Sequence, residues 1–198
     1  MKILRQRLLR GANLYARFPC LLGLIDLEDL HHATPSDLSV AALRLHALMP
    51  TLHRRGVYPL PHDGAAAFLV GQLALELQAL AGAPACFATT TPAEGGPSHR
   101  RVICSYQVEH IAQASFSLAV YLVDALAHGL PYDFATPFGQ LLERSEGYRT
   151  DPLTSALLHE AHARGIPVTR VTEHEALYQL GWGSRLHRHH PRLPNDSA

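Results

Sequence analysis

The alternation of apolar and polar positions predicts most of the elements. Residues 2–10 alternate imperfectly and stop at Gly11, which predicts a first strand with Arg5 and Arg7 two residues apart on one face. Leu21–Glu28 predicts a second strand with Leu21, Ile25 and Leu27 on one side. Ser36 is placed to cap a helix whose stripe is Leu38, Ala41, Ala42, Leu45 and Leu48, with Pro50 beyond its end. A Pro- and Gly-rich loop, Gly56–Gly64, leads into a helix over Ala65–Ala81 with the stripe Leu69, Leu73, Leu77 and Leu80 and with Gly82 past its end.

Phe87–Thr91 predicts a short strand, Pro92–Ser98 a turn, and Arg101–Val108 the cleanest strand of the chain. In that strand Val102, Cys104, Tyr106 and Val108 oppose Arg101, Ser105 and Gln107. Ile111–His128 has helical spacing at Ile111, Ser115, Leu118, Leu122, Ala125 and Leu126. Pro131–Arg149 is expected to be a linker with a short helix near Gly139–Ser145. A helix over Pro152–Arg164 ends at Gly165, and strands follow at Pro167–Val171 and Leu177–Trp182. Adjacent strand pairs separated by helices favour an α+β fold: a two-layer domain of antiparallel strands with helices on one face over 1–149. A helix–strand extension is expected over 150–186, and a disordered polar tail over 187–198.

Charge narrows the function classes. The chain has 198 residues with 17 Lys+Arg against 17 Asp+Glu, so its net charge is zero when His is neutral. That balance argues against a nucleic-acid binder and against a polybasic membrane-surface protein. The two most apolar stretches are interrupted, Ala65–Ala81 by Gln72, Glu76 and Gln78, and Ile111–Leu130 by Asp124 and His128. Both are expected to be core helices rather than membrane spans. The charged run Met1–Arg7 contains no apolar targeting core, so a cytoplasmic protein is expected. Cys20, Cys86 and Cys104 have neither disulfide-framework nor zinc-knuckle spacing.

The familiar catalytic motifs are missing. There is no G-x-x-x-x-G-K-[ST] and no G-x-S-x-G, and Gly181-Trp182-Gly183 lacks a third glycine. His159 and His162 stand three apart on one helix, a spacing that can chelate a metal. They lie on the face that a stripe of Leu153, Ala156, Leu157 and Ala161 leaves to solvent, so a solvated surface is the expectation. No catalytic residue, metal ligand or cofactor is assigned.

Blocks in one order along the chain nevertheless resemble a known family. Met1-Lys2-Ile3-Leu4-Arg5 followed by Leu9-Arg10-Gly11-Ala12-Asn13 resembles the K-I-L-R…L-R-G-P-N opening of cyanophycin synthetases. Asp26-Leu27-Glu28-Asp29-Leu30 resembles their next strand, and Leu75–Gly82 is similar to A-L-E-L-Q-T-L-A-G. Arg164-Gly165-Ile166-Pro167 and Gln179-Leu180-Gly181-Trp182-Gly183 resemble A-R-G-I-P and Q-L-G-Y-G. The resemblance implies an N-terminal domain plus the lead-in to an ATP-grasp domain, which a Mur-ligase-like domain follows in that family. The whole enzyme joins Asp and Arg into a branched polymer by ATP-driven amide formation. Its N-terminal domain is implied to hold the polymer and, in some members, to cut it at a metal site.

The departures shape the expectation. The chain stops where the ATP-grasp domain would begin, so it is not expected to ligate alone. The family's metal site resembles an H-x-x-E-H helix before A-L-E-L-Q, and the matching positions here are Phe68, Gly71 and Gln72. Phenylalanine cannot ligate zinc, and glycine cannot act as a general base. Gly71 inside a helix costs about 0.5–1 kcal/mol relative to Ala, tolerable where another backbone packs close to it.

The expected role is therefore a non-catalytic peptide- or polymer-binding or assembly module. Arg5, Arg7, Arg10, Asn13 and Glu76 are the candidate ligand-binding residues. The implied partners are a separate ATP-grasp or Mur-type ligase chain and an Asp/Arg-type polymer. A hydrolase using Glu76, His99, His110, His159 and His162, or a truncated structural subunit, are the alternatives.

Overall fold

The computed structural model describes residues 1–48, 60–148, 150–172 and 176–191. Four strands, β1 (Lys2–Leu9), β2 (Cys20–Asp26), β3 (Ala88–Pro92) and β4 (His99–Ser105), form an antiparallel sheet in the order β1-β2-β4-β3. Paired residues in such a sheet point to the same face, so the register sorts the side chains into rows. Ile3–Ile25–Arg100, Gln6–Gly23–Val102–Thr90 and Leu8–Leu21–Cys104–Ala88 face the helices. Arg5–Leu24–Arg101–Thr91 and Arg7–Leu22–Ile103–Thr89 face away. The fold is α+β with antiparallel strands, as the pattern predicts.

Two helices, α2 (Ala65–Leu80) and α3 (Glu109–Ala127), cover one face of the sheet and pack on each other, and α1 (Ser39–Leu48) adds to that layer. Leu21, Ile25, Val70, Leu73, Leu77, Phe116, Leu122 and Val123 lie in the resulting core. Two glycines set how closely helices approach strands. A Cβ on Gly23 would lie 2.1 Å from Cζ of the buried Phe116 ring of α3. A Cβ on Gly71 of α2 would meet the Ala88 Cβ at 3.3 Å and Val102 Cγ1 at 3.4 Å. The close neighbours of Gly71 are thus side chains of β3 and β4 rather than the expected backbone, and the Cys104 thiol reaches its carbonyl at 3.8 Å. α3 has the length and apolarity of a membrane span, but the core takes up its apolar faces.

Several boundaries differ from the sequence expectation for physical reasons. β2 ends at Asp26, whose Oδ1 accepts the Glu28 amide at 3.0 Å and turns the chain into a short helical turn over Glu28–His32. Ser36 does not cap α1. Thr34 and Asp37 bond reciprocally one turn earlier, and the helix begins at Ser39. Pro50 and Gly56 lie outside the described residues. α2 is buried nearly all round, beyond the stripe expected of it.

The expected linker after α3 contains a helix, α4 (Ala135–Ser145), that buries Leu141 and Ser145 and packs on α3. Pro137 sits in its first turn, where no intrahelical N–H is required. In α5 (Pro152–Ala163) the buried stripe is Thr154, Leu158 and Ala161, while Leu153 and Leu157 are exposed. β5 (Val168–Arg170), β6 (Tyr178–Leu180) and β7 (His187–His189) form a second antiparallel sheet around buried Tyr178. β7 corrects the expectation of a disordered tail from His187. Its pairing uses backbone groups, and His189 Nε2 meets Thr154 Oγ1 at 3.0 Å. Residues 192–198 lie outside the described residues.

The three cysteines are free thiols. Burial pushes the Cys20 thiol up to about 11 and the Cys104 thiol up to about 12, while Cys86 is exposed. The thiolate is the reactive form. A thiol reagent at neutral pH is therefore expected to label Cys86 alone, with Cys20 and Cys104 reacting only on unfolding. Peptide mass spectrometry of folded and urea-treated protein checks this.

Candidate functional site

The face of the sheet turned away from α2 and α3 carries an unusual concentration of cations. Its origin is a bulge in β1: the register shifts between Ile3 and Arg5, leaving Leu4 as the extra residue. Strict alternation would put Ile3 and Arg5 on one face. The bulge keeps Ile3 toward the helices and turns Arg5, and Arg7 after it, to the open side. Across β2, the β4 register brings Arg101 into the Arg5–Leu24 row.

Arg5, Arg7 and Arg101 line a shallow groove of about 280 Å³ together with Leu22, Leu24, Ala93 and Glu94. Leu22 and Leu24 are half-buried and give the groove an apolar floor. The Arg5 and Arg7 guanidinium groups form no hydrogen bond or ion pair among the described residues. Arg101 Nη1 donates to the Pro92 carbonyl at 3.0 Å, which anchors its guanidinium at the β3 end. Three guanidinium groups and one carboxylate around an apolar floor give a chain of zero net charge a locally basic surface. Guanidinium forks on such a surface suit carboxylates in a bidentate manner.

The structure brings together two of the five predicted ligand residues, Arg5 and Arg7. Arg10 lies beyond β1 and forms a fork with Glu109 at the start of α3, with Nε–Oε1 at 2.7 Å and Nη2–Oε2 at 3.0 Å. Asn13 holds its own loop: its amide donates to the Gly11 and Phe18 carbonyls, and its Oδ1 accepts the Tyr15 and Ala16 amides. Glu76 is buried in α2 and does not line the groove. Arg101 was not among the predicted site residues, although its alternation with Val102 already placed it on the polar side of β4. Its neighbour Arg100 faces the helices and forms a fork with Asp63, just ahead of α2.

The histidines do not gather. His99 stands by Asp26, His110 packs edge-on against Tyr148 at 4.7 Å, and His159 is exposed on α5. The His162 side chain lies outside the described residues. Among the described residues no three His, Cys, Asp or Glu side chains are grouped to hold a metal ion.

A second charged cluster closes the end of the fold where β1 begins. The Met1 amine pairs with Asp124 at 2.6 Å and Glu28 at 3.0 Å. His128 Nε2 meets Asp29 at 3.0 Å, and its Nδ1 lies 3.3 Å from Asp124. The bond to Asp29, aided by Asp124, raises the His128 pKa above its ordinary value. A histidine raised on folding stabilises the fold below its unfolded pKa, and that contribution fades as pH rises through the folded value. Stability is thus expected to fall as pH rises from about 6.5, the ordinary His value, toward pH 8. His128→Asn is expected to flatten that slope in urea titrations at each pH.

No family profile matches the chain. It is similar to the cyanophycin synthetase of Geminocystis herdmanii, 30% identical over 214 aligned positions that cover 100% of this chain and 24% of that protein. The cyanophycin synthetase of Synechocystis sp. is 27% identical over 212 positions, covering 100% of this chain and 24% of its own. That of Trichormus variabilis is 27% identical over 197 positions, covering 92% of this chain and 22% of its own. The chain spans about a quarter of the length of the curated relatives that it matches.

Proposed function

We propose that this chain, a homologue of the N-terminal region of cyanophycin synthetases, is a non-catalytic module that holds a carboxylate-rich peptide or polymer for an ATP-dependent amide ligase. The observation that carries this reading is the convergence of Arg5, Arg7 and Arg101 on the open sheet face. Carboxylates spaced along an extended chain pair with the three guanidinium groups. Glu94, at the rim of the same groove, suits a guanidinium on the ligand. An Asp/Arg polymer offers both groups. The apolar floor of Leu22 and Leu24 lies beneath the ligand's methylene stems.

The partner in this reading is a separate ATP-grasp or Mur-type ligase chain, and the setting is the cytoplasm. Calorimetric titration of the protein with an aspartate octapeptide tests the binding. Saturable binding is expected that weakens between about 0.1 M and about 1 M salt, as the Debye length shrinks from about 10 Å to about 3 Å. No heat with either the octapeptide or an Asp/Arg polymer would remove the reading.

A further inference from the structure

The basic groove does not end at the edge of the sheet. β1 is an edge strand, and on its other side lies a trough of about 680 Å³. Four consecutive β1 residues, Ile3 to Gln6, line it. Alternate residues of a strand face opposite sides, so a cavity touched by four in succession runs beside the strand's edge rather than over one face. α3 forms the opposite wall through Gln113 and Ser117, with Arg144 from α4 above them. A further recess of about 440 Å³ shares Ser117 and Arg144 and continues between α3, as far as Tyr121, and Gln140 of α4. Arg5 lines both the trough and the basic groove, so the two meet at that side chain.

The chemistry of the trough differs from that of the groove. The Arg144 guanidinium and the side-chain amides of Gln113 and Gln140 form no hydrogen bond or ion pair among the described residues. Gln6 Nε2 donates to Ser117 Oγ at 3.0 Å, while Gln6 Oε1 is buried with no donor of its own. Neutral amides and a hydroxyl match the N–H and C=O groups of a peptide backbone. Arg144 and Arg5 supply positive charge, with His110 at the near end and Asp133 the one carboxylate at the far end.

Resting on the reading of the sheet face as a carboxylate-binding groove, we propose that this trough is a second segment of the same site. It takes the neighbouring stretch of one extended acidic peptide chain, which bends over the β1 edge at Arg5. The α3 wall from His110 to Tyr121 is about 16 Å long at ~1.5 Å per residue, room for about five extended peptide residues at ~3.3 Å each. The same charges disfavour a second copy of this chain at that edge. Strand pairing of β1 with another β1 would bring Arg5 and Arg7 against like charges.

The length of the ligand separates the two readings. An aspartate tetrapeptide fills the groove alone, and an aspartate decapeptide fills groove and trough. The decapeptide is expected to bind at least about tenfold more tightly than the tetrapeptide, the equivalent of roughly 1.4 kcal/mol. Arg144→Ala and Gln113→Ala are each expected to weaken the decapeptide about three- to tenfold while leaving the tetrapeptide unchanged. Arg7→Ala is expected to weaken both. Decapeptide affinity that ignores Arg144→Ala and Gln113→Ala, with Arg7→Ala still effective, would overturn the trough and leave the groove standing. Binding of neither peptide would overturn both, and dimerisation through β1 in sedimentation experiments would overturn the trough as a peptide site.

Discussion

The triple substitution Arg5→Ala, Arg7→Ala and Arg101→Ala is expected to weaken binding of an aspartate octapeptide by up to roughly 100-fold without unfolding the protein. Arg5 and Arg7 are exposed, and each guanidinium–carboxylate contact on such a surface contributes up to about 1 kcal/mol. Three of them together amount to at most roughly 3 kcal/mol, and each 1.4 kcal/mol is about tenfold. The side chains sit in two adjacent rows, so some coupling between them is expected, and single substitutions define it. The fold tolerates the change because the exposed Arg5 and Arg7 side chains form no hydrogen bond or ion pair among the described residues. Arg101 gives up a bond to the Pro92 carbonyl at the end of edge strand β3, a local and solvent-accessible loss. Calorimetry supplies the affinity, and urea unfolding supplies the control. Unaltered affinity would mean that the open face is only a solvated surface.

Gly23→Val is expected to unfold the protein or leave it barely stable. Gly23 is in the middle of β2, in the row that faces α3, and the Phe116 ring occupies the space where a Cβ would be. Phe116 is fully buried and surrounded by the main core, so its ring has nowhere to move. Overpacking of this kind costs about 1–3 kcal/mol for small additions and more for a branched one. Domains have only about 5–15 kcal/mol in hand. Gly23→Ala is the graded version, and Phe116→Leu in the same chain is expected to restore part of the loss by opening the space. Urea titration checks both. Wild-type stability in Gly23→Val would contradict the placement of α3 on the sheet.

The helices that bury a stripe were the most legible parts of the chain. Ile111, Leu118, Leu122 and Leu126 are buried as their spacing predicts. Elements whose limits depend on distant partners were less so. α4 starts four residues before its expected onset because a proline in a first turn does not break a helix. β7 contains no apolar residue and exists through its pairing with β6.

The site shows the same division. Arg5 and Arg7 could be placed on a common face from their spacing, but which face depends on the bulge at Leu4, a departure from alternation. Arg101 joins them through pairing between strands 73 or more residues apart in sequence, which no local pattern encodes. Arg10 carries the same chemistry, yet its carboxylate partner is Glu109, 99 residues further along its own chain.

Mapping the aspartate octapeptide onto the protein by backbone amide chemical shifts is the most direct test of the central claim. The account predicts that shifts concentrate on Arg5, Arg7, Leu22, Leu24 and Arg101 as peptide is added, with α2 and α5 unmoved. Shifts confined to α2 around Glu76, or no shifts at saturating peptide, would contradict it.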